Sequence, residues 1–128
     1  MTEPINILYV DDEDDIREIA VMSLELDAGV SVKSCSSGAE ALVTVQQWTP
    51  NLILLDAMMP DMDGPETLRR LRDNTSTAGI PVVFITARSQ PEDIERFVSL
   101  GAVGVISKPF DPMTLPEQAR ALLASATG

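Results

Sequence analysis

The sequence predicts an α/β fold: a doubly wound parallel sheet of five strands, with five helices on its two faces. Three observations predict it. Strand-like and helix-like stretches alternate along all 128 residues, which fit one domain with a single core. The strand-like stretches are short continuous apolar runs, the pattern of strands buried on both faces. The clearest run, Leu52 to Leu55, leads straight into a carboxylate, Asp56, within the stretch Asn51 to Gly64 (NLILLDAMMPDMDG). Thr49-Pro50 bounds that run on one side; Met59-Pro60 and Asp63-Gly64-Pro65 bound it on the other.

In chain order, Ile5 to Val10 is the first strand and ends at Asp11-Asp12. Asp14 to Leu26 reads as a helix with Ile16, Ile19, Ala20 and Leu24 at core-facing spacing. Its acidic residues lie at the N-terminus, where the macrodipole favours them, and Asp27-Ala28-Gly29 ends it. Val30 to Cys35 is the second strand. Ser37 to Glu40 is a capping box opening a helix that carries Ala41, Leu42 and Val45 toward Trp48. The Asp56 strand follows.

Gly64-Pro65 opens a helix through Arg72, with proline at a permitted first-turn position, and Asn74 to Gly79 is a polar loop. Pro81 to Thr86 is the fourth strand. Ser89 to Glu92 offers a second capping box, for a helix that runs to Leu100 and stops at Gly101. Val103 to Ser107 is the fifth strand. Lys108-Pro109-Phe110 leads to a last helix ending near Ala124. Its start has two readings, since Pro116 is costly in a helix interior; a Thr114 to Glu117 capping box would put it in the first turn.

The formal net charge is −11, from 9 Lys+Arg against 20 Asp+Glu. This disfavours nucleic acid or an anionic membrane as partner. Arg69, Arg70 and Arg72 read as one solvated helix face. The chain has no histidine, so it cannot itself carry phosphohistidine or use a histidine base. With one cysteine, Cys35, it has neither a Cys₄ zinc site nor an internal disulfide, and Cys35 reads as core filler. No apolar run spans a membrane, and residues Met1 to Tyr9 lack signal-peptide features, so the expected compartment is the cytoplasm.

In the 2-1-3-4-5 order the first and third strands are neighbours at the switch point, where open α/β sheets hold ligands. Asp11, Asp12, Asp56, Thr86 and Lys108 then converge on one end of the sheet. Singly, each has an ordinary reading: the aspartates as caps, Lys108 as a surface lysine, Thr86 as a β-branched strand residue. Asp61 and Asp63 read as turn residues, and Met58 and Met59 as packing or loop residues. The convergence favours chemistry, because all the ordinary readings would have to coincide.

The motifs VDDE (10–13), LLDAMMPDMDG (54–64), ITA (85–87) and SKPF (107–110) resemble the receiver domain of two-component response regulators, particularly the stand-alone, chemotaxis-regulator-like kind. The resemblance covers about Ile5 to Leu123. It implies a flavodoxin-like fold, a phosphorylated aspartate, one divalent cation (Mg²⁺ or Mn²⁺), and a phosphohistidine donor on a sensor histidine kinase or histidine phosphotransfer protein. It further implies that Asp56 is the phosphoacceptor, with Asp12 and Asp56 binding the metal directly and Asp11 largely through water. The Met58 backbone carbonyl would complete the protein ligands, while Lys108 and Thr86 would contact the phosphoryl group. The small Ala87 would leave the site open. Such a module assists its own phosphoryl transfer and dephosphorylation without being an enzyme in the ordinary sense. A downstream protein target would read the face made by the fourth helix, fifth strand and last helix. The expected organisation is a single receiver domain over 1–128 with no effector domain.

The independent chemistry agrees. Clustered carboxylates repel one another, and a hard cation with oxygen ligands relieves the repulsion. A haloacid-dehalogenase-like phosphatase would need a second aspartate where Met58 stands. A flavodoxin-like electron carrier would need a phosphate-binding loop where Asp11 to Asp15 would repel phosphate. No GxxxxGK[ST] loop is present. One departure from the family pattern is Val105, where an aromatic usually stands on the fifth strand; Phe84, Phe97 and Phe110 read as core. Arg88 and Met58 hold positions that tune dephosphorylation in the family.

Overall fold

The computed structural model describes residues 3–127. The five strands are β1 (Ile5–Val10), β2 (Val30–Cys35), β3 (Leu52–Asp56), β4 (Val82–Thr86) and β5 (Gly104–Ser107). All pair in parallel in the order β2-β1-β3-β4-β5, the order expected. The helices are α1 (Asp14–Glu25), α2 (Gly38–Gln47), α3 (Gly64–Asp73), α4 (Pro91–Ser99) and α5 (Leu115–Thr127).

The two-residue period of a strand divides the core in two. Ile7, Tyr9, Leu52, Leu54, Val83 and Ile85 face α1 and α5, where Ala20, Leu24, Leu115 and Ala119 meet them. Leu8, Val10, Ile53, Leu55, Val82 and Phe84 face α2, α3 and α4, against Ala41, Val45, Leu68, Leu71 and Phe97. The β3 and β4 residues are buried throughout, which is why their sequences read as unbroken apolar runs. Cys35 is core, as expected.

Local details depart from the expected ones in several places. Ile19 is exposed and Ile16 only half-buried, because α1 meets the sheet mainly through Ala20 and Leu24. The Ser37 hydroxyl does cap the Glu40 N–H (3.1 Å), but Glu40 returns its carboxylate to the Ser36 N–H (2.9 Å). The α4 cap is Gln90, not Ser89: its N–H donates to Asp93 Oδ2 (3.3 Å), and Pro91 takes the first helical position, where no N–H is needed. The α5 helix places Pro116 in its first turn, though the Thr114 hydroxyl donates to the Asp111 carbonyl (3.4 Å) instead of capping Glu117, and the helix continues past Ala124.

Arg72 leaves the solvated face assigned to it. Its guanidinium turns under the helix to donate to the Ile80 carbonyl (2.8 Å) and the Gly101 carbonyl (3.2 Å), so two loops are tied to α3. Arg69 and Arg70 stay exposed and pair with Glu66.

Candidate functional site

Parallel pairing puts the carboxyl ends of all strands at one edge of the sheet, and the site is built there. Asp11 follows β1 directly. Its N–H donates to the Cys35 carbonyl (3.1 Å), so its backbone still belongs to the sheet, and its side chain is fully buried. Asp56 is the last residue of β3 and is also buried. Its Oδ1 accepts from the Met58 N–H (3.2 Å), which fixes the carboxylate through the turn that follows. Asp12 is exposed at the rim. One oxygen from each of Asp11, Asp12 and Asp56 lies within 4.8 Å of the others.

Lys108 closes the cluster. Its backbone N–H donates to the Thr86 carbonyl (2.9 Å), an extension of the β4–β5 pairing that sets where the side chain starts. Its Nζ lies 3.0 Å from Asp11 Oδ2, 3.2 Å from Asp56 Oδ2 and 3.3 Å from Glu13 Oε1. Burial pulls the Lys108 ammonium down, but the Asp11 and Asp56 carboxylates outweigh it and the net shift is upward. Burial and then the Asp11 charge push the Asp56 carboxyl up to about 6, against the opposing pull of the Met58 N–H and Lys108.

Thr86 ends β4, buried, with Oγ1 accepting from the Arg88 N–H (3.0 Å). The hydroxyl keeps its one proton to donate elsewhere. Met58 occupies the turn beside Asp56 with its side chain exposed, whereas Met59 is buried. Asp63 caps α3 through the Glu66 N–H (2.9 Å), and Asp61 adopts φ of 68°, so both are the turn residues the sequence suggests. Gly64 begins α3 against the β3 end: a Cβ there would stand 2.7 Å from the Asp56 carbonyl oxygen and from Ala57 Cα.

Three further residues touch the site. The Tyr9 hydroxyl donates to Asp11 Oδ2 (3.1 Å), Glu13 reaches Lys108, and Arg17 donates to the Asp11 carbonyl (2.8 Å). Strand parity carries the signal for Tyr9, since residues two apart share a face. Glu13 and Arg17 depend on the path of the loop into α1, which spacing does not reveal.

The site is a cluster of carboxylates with a lysine bridging two of them, at the switch point of a doubly wound parallel sheet. The chain belongs to the response regulator receiver family: the family model described as "Response regulator receiver domain" matches residues 7–120. It is 39% identical to "Response regulator Rre1" of Synechocystis over 97% of this chain and 54% of that protein. It is 42% identical to a "Probable cyclic di-GMP phosphodiesterase" of Vibrio cholerae over 86% of this chain and 24% of that protein. Among solved structures, the chemotaxis protein CheY4 of Vibrio cholerae superposes with a TM-score of 0.85 at 31% identity, covering 93% of this chain and 98% of that one. The chain spans about half the length of several curated relatives it matches. The fold is therefore the flavodoxin-like one of receivers, and the domain is a phosphorylation-dependent signalling module. Receivers of this family generally bind Mg²⁺ and interact with histidine kinases or phosphotransfer proteins. No described helix is long and apolar enough to cross a membrane.

Proposed function

We propose that Asp56 accepts a phosphoryl group from a partner's phosphohistidine and that Lys108 and Thr86 hold the group once transferred. The observation that carries this reading is the Lys108 ammonium set between Asp11 and Asp56, 3.0 and 3.2 Å from their carboxylates. An Asp56 oxygen attacks phosphorus, the P–N bond to the imidazole breaks, and the departing nitrogen keeps the bonding pair. Lys108 is within reach of the charge that develops on the phosphoryl oxygens, and the Thr86 hydroxyl has a proton to give them.

The donor set fits a hard divalent cation. Carboxylate oxygens of Asp12 and Asp56, with Asp11 acting largely through water and the Met58 carbonyl as the family resemblance implies, would suit Mg²⁺ or Mn²⁺, while a soft metal would want sulfur or nitrogen ligands. When bound, such an ion would supply positive charge that offsets the charge of the carboxylates and of an incoming phosphoryl group. Asp56 itself is held by the Met58 N–H, and Lys108 lies between it and Asp11, where it offsets their repulsion. The same groups assist later hydrolysis of the aspartyl phosphate.

The output passes through protein contacts on the α4–β5–α5 face, since β4 and β5 carry Thr86 and Lys108 to its edge. The net charge of −11 argues against direct binding of this domain to nucleic acid or an anionic membrane. A small phosphodonor with Mg²⁺ should add one phosphoryl group, read by intact mass and mapped to Asp56. Undiminished labelling of a folded Asp56→Asn variant would remove the assignment.

A further inference from the structure

We propose that Tyr9 is a positioning residue for the acidic pocket, holding Asp11 by its hydroxyl and being held in turn by Phe110. The inference rests on the metal-binding reading above and adds a residue to it. Tyr9 lies in β1, on the strand face that also carries Asp11, and its side chain is fully buried. The hydroxyl donates to Asp11 Oδ2 at 3.1 Å, the same oxygen that Lys108 Nζ approaches at 3.0 Å. The other oxygen, Oδ1, accepts the Glu13 N–H at 3.0 Å. Asp11 is thus held on both oxygens of its carboxylate, and Tyr9 is the neutral side-chain donor.

The ring of Tyr9 meets Phe110 edge-on, with centroids 6.5 Å apart and planes inclined by 69°. Phe110 is two residues beyond Lys108. One chain of contacts therefore runs from the loop that carries the lysine, through two rings, back to the oxygen that the lysine shares. Val105 packs on the opposite face, with the α2–α3–α4 core, so it takes no part in this chain.

The physical consequence concerns orientation. A buried carboxylate depends on its donors for a fixed rotamer. Lys108 cannot fix it alone, because the ammonium also serves Asp56 and Glu13. Removing the Tyr9 hydroxyl leaves Asp11 with fewer rigid partners and the pocket less ordered for a cation.

The chain has one tyrosine, so its spectrum reports this site alone. The test uses the full chain labelled with 3-fluorotyrosine, followed by ¹⁹F NMR during Mg²⁺ titration, with calorimetry on unlabelled wild type, Tyr9→Phe and Phe110→Leu. We expect the single resonance to move with Mg²⁺ saturation. Tyr9→Phe should weaken Mg²⁺ binding severalfold and at most about tenfold, since the hydrogen bond is present before the ion binds and only its share in orienting Asp11 counts toward affinity. Phe110→Leu, which keeps the hydroxyl, should weaken it about two- to threefold, as expected for loss of an aromatic pair, and should shift the free-state resonance. A resonance indifferent to Mg²⁺, with equal affinities in all three proteins, overturns the inference while leaving the metal site intact. No Mg²⁺ binding by the wild type defeats the metal reading itself. If Tyr9→Phe does not fold, the wild-type titration and Phe110→Leu decide alone.

Discussion

The Asp56 carboxyl, pushed up to about 6 by burial and by Asp11, sets a pH dependence with a definite sign. Below about pH 4 the group is protonated in folded and unfolded chains alike and contributes nothing. As the pH rises through 4 to 6 the unfolded chain ionises first, so the folded state loses stability and the loss persists above 6. In chelator, Asp56→Asn should therefore raise unfolding stability at pH 7 by about 2 kcal/mol, and the gain should vanish near pH 4. Urea midpoints at the two pH values check this; an equal gain at both would mean that the charge is not the cause. Adding Mg²⁺ to the wild type should restore much of the difference, because a ligand that binds only the folded state stabilises it. Gly64 is the second critical residue. With a Cβ 2.7 Å from the Asp56 carbonyl oxygen, Gly64→Ala must displace either α3 or the end of β3. Overpacking of this kind costs about 1–3 kcal/mol, readable by denaturant titration, and should slow labelling of Asp56.

Two ties between elements make predictions of their own. Arg120 in α5 pairs with Asp27 beyond the end of α1, its Nη2 2.9 Å from Oδ1, and the same oxygen accepts the Gly29 N–H at 2.9 Å. The Arg120 hydrogen bond, then the Gly29 N–H, lower the Asp27 carboxyl to about 2. A lowered carboxyl contributes stability that is present above its unfolded value near 4 and lost as the pH falls toward 2. Acid unfolding of Asp27→Asn should accordingly be less steep over that window than that of the wild type. Arg72 is the other tie. Arg72→Met keeps the stem but frees the Ile80 and Gly101 carbonyls, so amide exchange in the α3–β4 and α4–β5 loops should rise, with a stability loss of about 1–3 kcal/mol. Unchanged exchange there would show that solvent satisfies both carbonyls equally well.

At the scale of the whole domain, the proposed phosphorylation of Asp56 has to reach the proposed α4–β5–α5 output face. A phosphoryl group brings roughly −1.5 to −2 charge and strong acceptor oxygens. Lys108 and Thr86 are placed to move toward it, and they join β5 and the loop before α4. Val105 has no ring to lock the result; it sits half-buried against the Phe84–Phe97 side of the core. Switching should therefore be incomplete, bounded by the differential interaction of the phosphoryl group with the two states. Hydrogen exchange with and without beryllofluoride should change at 87–93 and 103–108, with little change over 30–48. Changes confined to the loops around Asp11 and Asp56 would mean that the partner reads the phosphoryl group directly.

The sequence by itself determined the elements, their order and the carboxylates that follow β1 and end β3, because continuous apolar runs and the residues that stop them are local features. Fold legibility was highest at β3 and β4, where both faces are buried and no alternation blurs the run. Only the tertiary structure decided which groups share an oxygen. Strand parity places Tyr9 beside Asp11, but that Lys108 meets the same Asp11 oxygen depends on the parallel register and on the path of the loop after β5, and neither has a local signature. The same holds for Ile19, which helical spacing puts on the core face and which packing leaves exposed, and for Arg72, which lies among exposed arginines in sequence yet holds two carbonyls. Periodicity tells which side of an element is apolar; the reach of a long side chain is settled by its neighbours in space.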